Sequence, residues 1–553
     1  MRKFIVIFFL LLCCALQAAD NLSVCEKQLR DAAALYGRRS MEYALAMSRI
    51  GAYYADTLNA DYNRKKAWSY LEPAAVLAVS LDNGSEQCAQ VLLPYMDLLM
   101  HSSYSARALS YAASLYMMFD NASKRFYDMT RDEVIVWFEH NKPYSDMLFA
   151  VLDQNDLSKA EEDMLYNMCL IEKSYFASSR YDKHTAPVRF SDIANVLESN
   201  DVAIEFASYT YGGETYYTSS RLKKGWKHPK KQSICRQDSL MQMAVLNKPL
   251  LNRYEEFYAK IWGNLAPGFH KDDRIWFAPA GDLHLLSIEY CKIPKTKTTC
   301  LADIFRMHRT FSTARLLSRK QRSNMRMPVK RAMLYGNVDY GKGLWRELPQ
   351  TSNEVNMIEQ TLKTAGYSTE KLMQKQASMG NFLAMSGKKY GMIHIATHGF
   401  YNANESNPMY ACGLIMANGN CAFRADSIYL DACDGVITAA EIDTMHLPDT
   451  RLVVLSACRS GLGRVVADNV IGMQSAFRYA GAEAMMTSLW NVNDEATSIL
   501  MKTFYREYLH SQGSLQEALR DAQKAVRKQH YVIGNISYDG YAPKFWAAFI
   551  IYE

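Results

Sequence analysis

The chain has 553 residues, 49% of them apolar and 22% charged, a globular composition that is too long for one ordinary core and points to two or three domains. The net charge of +6 is small for this length, so bulk charge gives no argument for nucleic acid as a partner. Beyond the N-terminus no stretch reaches about 18 uninterrupted apolar residues, which excludes an apolar membrane span in the mature chain.

In chain order, Arg2-Lys3, the apolar run Phe4 to Leu12 and the small residues Ala15, Ala18 and Ala19 read as a secretory signal peptide over residues 1–19. Cys13 and Cys14 follow Leu and not the small residues that a lipobox prefers, so simple cleavage and export, periplasmic or secreted, are expected over lipid anchoring. Residues 20–182 read as all-helical. Ser158-Lys-Ala-Glu161 has the form of a capping box ahead of Met164, Leu165, Met168 and Ile171. Tyr54, Ala67, Ser69 and Tyr70 recur as Tyr95, Ala108, Ser110 and Tyr111 at an offset of 41, a degenerate helical repeat that resembles tetratricopeptide (TPR) hairpins. A plain helical bundle is the alternative. Either form is expected to bind a regulatory protein partner or to restrain the domain that follows.

From about residue 185 the pattern changes. Asp201 to Thr210 and Glu214 to Thr218 flank Gly212-Gly213 as a hairpin with a basic, solvated extension at Arg221 to Lys231. Arg315 to Arg331 reads as an exposed linker, a candidate processing site, ahead of a strand at Ala332 to Gly336. Thr351-Ser-Asn-Glu354 opens a helix that ends near Gly366, and a second short helix precedes the run Met392 to Ala396. Beyond Cys458 come a helix over Asn469 to Tyr479, a strand over Ala484 to Leu489, a helix over Asp494 to Leu509, a helix capped by Ser514-Leu-Gln-Glu517 and a closing strand over Trp546 to Tyr552. Alternating strand and helix predicts an α/β domain with a mostly parallel sheet.

Two apolar runs of that domain end in reactive residues: Met392-Ile-His-Ile-Ala-Thr-His398-Gly399 and Arg451-Leu-Val-Val-Leu-Ser-Ala-Cys458. Each reads as a buried parallel strand, and ligands of such sheets sit at the carboxyl ends of the strands, so His398 and Cys458 are expected in one cleft. A thiol beside an imidazole can lose its proton, attack a carbonyl and receive a protonated leaving group in return. Gly399 and Cys458 are the candidate oxyanion donors through their backbone N–H groups. His394, inside its apolar run, reads as a core histidine.

The blocks Ile393 to Gly399, Leu455 to Gly463, Asp434 to Glu441, Ser488 to Thr497 and Phe545 to Phe549, with Phe277 to His284, Leu348-Pro and Phe190 to Leu197 upstream, resemble the CHAT domain, a caspase-like family related to separases. The resemblance covers roughly residues 185–553. It implies an α/β caspase-like domain, divided into a pseudo-caspase-like part (185–330) and a catalytic part (331–553), and a cysteine endopeptidase dyad of Cys458 and His398. Arg459 and Ser460 depart from the residues common after the family's cysteine. Arg459 beside the nucleophile would lower the thiol pKa and disfavour a basic substrate residue.

Asp339, Asp494 and Asp468 are carboxylates near strand ends where they could bind a basic residue before the scissile bond, although Asp494 is equally a candidate helix cap. The substrate is expected to be a protein or peptide. The dyad needs no cofactor, and although the spacing of Cys412, Cys421 and Cys433 could suggest a metal site, no CxxC pair or nearby histidine motif supports one. Two other readings use the same fold: a catalytically silent scaffold or binding protein, and a cysteine acyl-transferase or hydrolase acting on a non-peptide acyl group.

Overall fold

The computed structural model describes residues 22–182, 186–252, 254–271, 273–323, 329–424, 427–428, 435–457, 461, 463–466, 468–491, 493–510, 514–533 and 536–553. The expected leader, with Cys13 and Cys14, lies outside them. The chain forms two compact units, one of residues up to Ile171 with Ser208–Tyr216, the other of Glu172–Ala207 with Tyr217–Glu553.

The first unit is built on α1 (Leu22–Leu35), α2 (Met41–Ala55), α3 (Arg64–Asp82), α4 (Glu86–Met100), α5 (Leu109–Ser123), α6 (Arg131–Gln154) and the start of α7 (Lys159–Ala177). Ser40, Asn63, Ser85 and Thr130 start four of these helices by accepting an otherwise unpaired N–H three residues on. The 41-residue offset is visible as packing: Tyr54 stacks on Tyr70 with ring centroids 6.3 Å apart, and Tyr95 meets Tyr111 edge-on at 5.5 Å. Ala67 and Ala108, the repeated small residues, are fully buried. Gly51 lets α2 approach α3, because a Cβ there would lie 2.6 Å from Leu71 Cδ2. The N-terminal region is thus helical and TPR-like.

The second unit is organised by an eleven-stranded sheet. Its strands are β1 (Asp201–Tyr211), β2 (Glu214–Lys223), β3 (Lys230–Arg236), β4 (Arg274–Ala278), β5 (Arg306–Arg309), β6 (Arg331–Val338), β7 (Ser368–Gln374), β8 (Met392–Ala396), β9 (Leu452–Ser456), β10 (Ala484–Ser488) and β11 (Phe549–Tyr552). Their order is β3-β2-β1-β4-β5-β11-β10-β9-β8-β6-β7. The ladders β1–β4, β4–β5, β5–β11, β10–β9, β9–β8, β8–β6 and β6–β7 are parallel, and β11–β10 is antiparallel. Met392–Ala396 and Leu452–Leu455 are buried throughout, which is why these strands read as apolar runs, with His394 the one polar residue among them. The sheet is mostly parallel, as the alternation of elements predicted. Because β11 is reversed against β10, the strands on its two sides present their carboxyl ends at opposite edges.

Several expected elements differ. Arg315–Ser323 is a helix and not an open linker, anchored by Leu316 and by Arg315, whose guanidinium donates to the Glu483 carbonyl at 3.1 Å. Residues 324–328 of the expected linker and processing site lie outside the described residues, and Arg331 already belongs to β6. The strand β7 was not anticipated, since Ser368–Gln374 is a half-exposed edge with weak apolar alternation. Asn469–Gly472 is the second strand of a hairpin with Gly463–Val466, and the helix expected from Asn469 begins at Met473. The basic extension is the turn between β2 and β3, where Trp226 lies under Arg221 and Lys230. No helix among the described residues is long and apolar enough to cross a membrane.

Candidate active site

In sheet order β7 and β8 flank β6, so the connections leaving the carboxyl ends of β6 and β8 run to opposite sides. A crevice opens where such connections diverge. The loop after β6 carries Asp339 to Arg346, and the one after β8 carries His398. On the next strand, Ser456 pairs with Ala396, each two residues before a member of the expected dyad. Cys458, Arg459 and Ser460 themselves lie outside the described residues.

His398 is held from the β6 side. Its ring lies 5.0 Å from that of Tyr340 and 5.0 Å from that of Trp345, both tilted against it. Nε2 is 2.8 Å from the carbonyl oxygen of Arg346. A carbonyl only accepts, so Nε2 carries the proton, and in the neutral ring Nδ1 is the basic nitrogen. Tyr340 is itself buried and shares a 2.9 Å hydrogen bond with the Thr397 hydroxyl, which in turn donates to the Ile415 carbonyl. Burial pushes the Tyr340 phenol up to about 12, so it stays neutral at physiological pH.

Gly399 opens a short strand, Gly399–Tyr401, opposite Cys412–Ile415. Ile415 N–H donates to the His398 carbonyl while Leu414 faces Gly399, the spacing of a non-hydrogen-bonded pair. The Gly399 N–H therefore points away from that strand, an orientation compatible with binding an oxyanion.

Asp339 and Asp468 are each held in a turn of their own. The Asp339 carboxylate accepts the Gly341 N–H at 3.1 Å and closes the turn after β6. Asp468 is 4% exposed with a φ of 55°, in the hairpin turn before Asn469, and its carbonyl accepts from His284 Nε2 at 2.7 Å. His284 Nδ1 lies 2.9 Å from the Tyr552 hydroxyl, and Tyr552 pairs with Met485 near the amino end of β10, the edge opposite His398. Asp494 begins the helix Asp494–His510 beyond β10; its side chain lies outside the described residues. The cap of that helix is Asn493, whose Oδ1 accepts the Ala496 N–H at 3.0 Å. At the end of β10 the Ser488 hydroxyl donates to Ala457 O at 2.8 Å, and Gly461 N–H donates to Ser488 O at 2.8 Å.

His394, on β8 beneath the site, is fully buried between the Tyr505 hydroxyl (3.0 Å from Nδ1) and the Glu354 carboxylate (3.0 Å from Nε2). Glu354 is therefore spent on this core pair and not on the capping box expected at Thr351. Sequence reasoning also missed Tyr340, Trp345 and Arg346. Arg346 acts through its backbone carbonyl, which carries no residue-type signal. Among the described residues no group of three His, Cys, Asp or Glu side chains is placed to hold a metal ion. Cys421 is disulfide-bonded, and Cys433 lies outside the described residues.

The family model of the CHAT domain matches residues 252–553. Tetratricopeptide repeat protein 28 of Homo sapiens and its Mus musculus counterpart are each 30% identical over 119 residues, 21% of this chain; the chain spans about 4% of the length of these curated relatives. Among solved structures, the Saccharomyces cerevisiae separase–securin complex aligns at 11% identity with a TM-score of 0.45, covering 92% of this chain and 40% of that one. The Arg-specific cysteine proteinase gingipain R aligns at 10% identity with a TM-score of 0.31, covering 57% and 68%. With more than half of its residues matched by the family model, this chain belongs to the CHAT domain family.

Proposed function

We propose that this protein is an exported cysteine endopeptidase using Cys458 and His398. The observation that carries this reading is the 2.8 Å contact of His398 Nε2 with the Arg346 carbonyl, which leaves Nδ1 as the base at a strand end in register with the approach to Cys458. His398 Nδ1 takes the thiol proton, and the thiolate sulfur bonds to the peptide carbonyl carbon. The N–H groups of Gly399 and Cys458 bind the oxyanion. The imidazolium then protonates the departing amine as the C–N bond breaks, and water, deprotonated by His398, hydrolyses the thioester.

Of the carboxylates weighed for the substrate pocket, Asp494 is the one we retain for a basic residue before the scissile bond. The Asp339 carboxylate is engaged in its own turn, and Asp468 is buried against His284. Arg459 beside the nucleophile is the competing specificity element. The helical unit is assigned the binding of a regulatory or targeting protein.

A peptidyl chloromethyl ketone tests the reading without a known substrate. Wild-type protein is expected to be alkylated at Cys458, with the label strongly reduced in His398→Ala. Label on other cysteines alone, or equal label in His398→Ala, contradicts it.

A further inference from the structure

The carbonyl that orients His398 sits on a loop with no regular structure of its own, and that loop is tied down by one side chain from a distant segment. Asn420 is 4% exposed. Its Nδ2 donates to the carbonyls of Gly341 and Trp345, both at 2.9 Å, and its Oδ1 accepts the Trp345 N–H at 2.7 Å. Its backbone N–H donates to Tyr340 O at 3.0 Å, and Asn418 N–H donates to Asp339 O at 2.9 Å. The loop packs directly on the amide: a Cβ at Gly343 would lie 2.9 Å from Asn420 Cβ and Cγ. Every hydrogen-bonding atom of the loop that Asn420 engages is backbone, so the loop's course from Gly341 to Trp345 is set by Asn420 and by glycines that allow close approach.

We infer that Asn420 is a positioning residue for the dyad: it fixes the Gly341 to Arg346 loop so that Trp345 covers the His398 ring and the Arg346 carbonyl holds the proton on Nε2. The inference rests on the peptidase reading above for its kinetic consequence, but not for its structural one. An asparagine is needed because the loop presents two carbonyls and one N–H to the same side chain. Aspartate would keep the acceptor for Trp345 and lose both donors, and alanine would lose all three bonds.

The test uses the full chain with Asn420→Asp and Asn420→Ala. Histidine-selective 15N and 13C labelling reads the His398 tautomer by NMR, assigned with His398→Gln. Wild type is expected to show the Nε2–H tautomer at pH 8, and both variants a mixture. Turnover of a cleaved peptide is expected to fall about 10–100-fold in kcat with KM within about twofold, the size of effect that loss of alignment produces. Asn420→Asp serves where Asn420→Ala does not fold, and a melting curve for each variant separates misfolding from misalignment. An unchanged tautomer with unchanged kcat in a folded variant overturns the inference. If wild type neither cleaves nor labels at Cys458, the peptidase reading fails, and the tautomer measurement still decides the role of Asn420.

Discussion

Ser456 pairs with Ala396 across the parallel β8–β9 ladder, so two neighbouring strands deliver their next residues to one edge of the sheet, where the sequence places Cys458 and His398 two positions on. The proposed dyad rests on this relation, and the proposal requires a thiol at position 458 that is chemically unlike those in the core.

Burial pushes the thiols of Cys412 and Cys300 up to about 12 and that of Cys235 up to about 11. At pH 8 a thiol with such a pKa is about 0.01–0.1% thiolate, against roughly a quarter for an ordinary cysteine. Limiting iodoacetamide, added after reduction and desalting, is therefore expected to modify Cys458 at least about 100-fold faster than Cys412, Cys300 or Cys235. Peptide mapping that finds Cys412 labelled as fast as Cys458 rules this out.

Asp494→Asn is expected to lower kcat/KM about 100-fold or more on peptides with Arg or Lys before the cut, because a buried guanidinium or ammonium loses its counter-charge. Asp468→Asn is expected to leave substrate preference unchanged. If Asp494→Asn keeps the wild-type preference, or if the preferred residue is acidic, the specificity element is Arg459 instead.

His394 and Glu354 form a pair sealed from solvent beneath β8. His394→Ala leaves the Glu354 carboxyl group buried without its neighbour and is expected to cost about 1–3 kcal/mol of stability. The apolar pair His394→Phe with Glu354→Leu is expected to recover much of that loss. Urea unfolding measures both. A loss below about 1 kcal/mol for His394→Ala would mean that the pair contributes little.

Hydrogen bonds from Lys371 and Lys363 hold the Glu359 carboxyl at about 2, below its usual 4.5. A pKa lowered on folding means that the carboxylate stabilises the fold above the ordinary value and that this stabilisation is lost as pH falls from 4.5 through about 2. Glu359→Gln is thus expected to melt below wild type at pH 6, with the gap closing toward pH 2. A gap that does not change with pH argues against this role.

The buried strands of residues 331–553 were legible because parallel strands covered on both faces show as nearly continuous apolar runs, as at Met392–Ala396 and Leu452–Leu455. The helical repeat was legible at Tyr54, Tyr70, Tyr95 and Tyr111 because the same pairing of rings recurs, stacked in one repeat and edge-on in the next. Edge strand β7 and the hairpin at Asn469–Gly472 were not, since a half-exposed edge and a four-residue strand beside a helix leave no periodic signal. At the site, His398 announced itself by ending a strand before glycine. Its partners did not: the Arg346 carbonyl is backbone, and Asn420 lies 74 residues from Arg346 with no local motif. For Asp468, sequence position near a strand end gave no sign that its turn is buried against His284.

The most direct test is cleavage of a mixed peptide library by the mature protein under reducing conditions, beside Cys458→Ala and His398→Ala. The dyad predicts cleavage by wild type and loss by about 1,000-fold or more in both variants. Cleavage that survives in either variant, or a wild type that neither cleaves nor labels at Cys458, contradicts it.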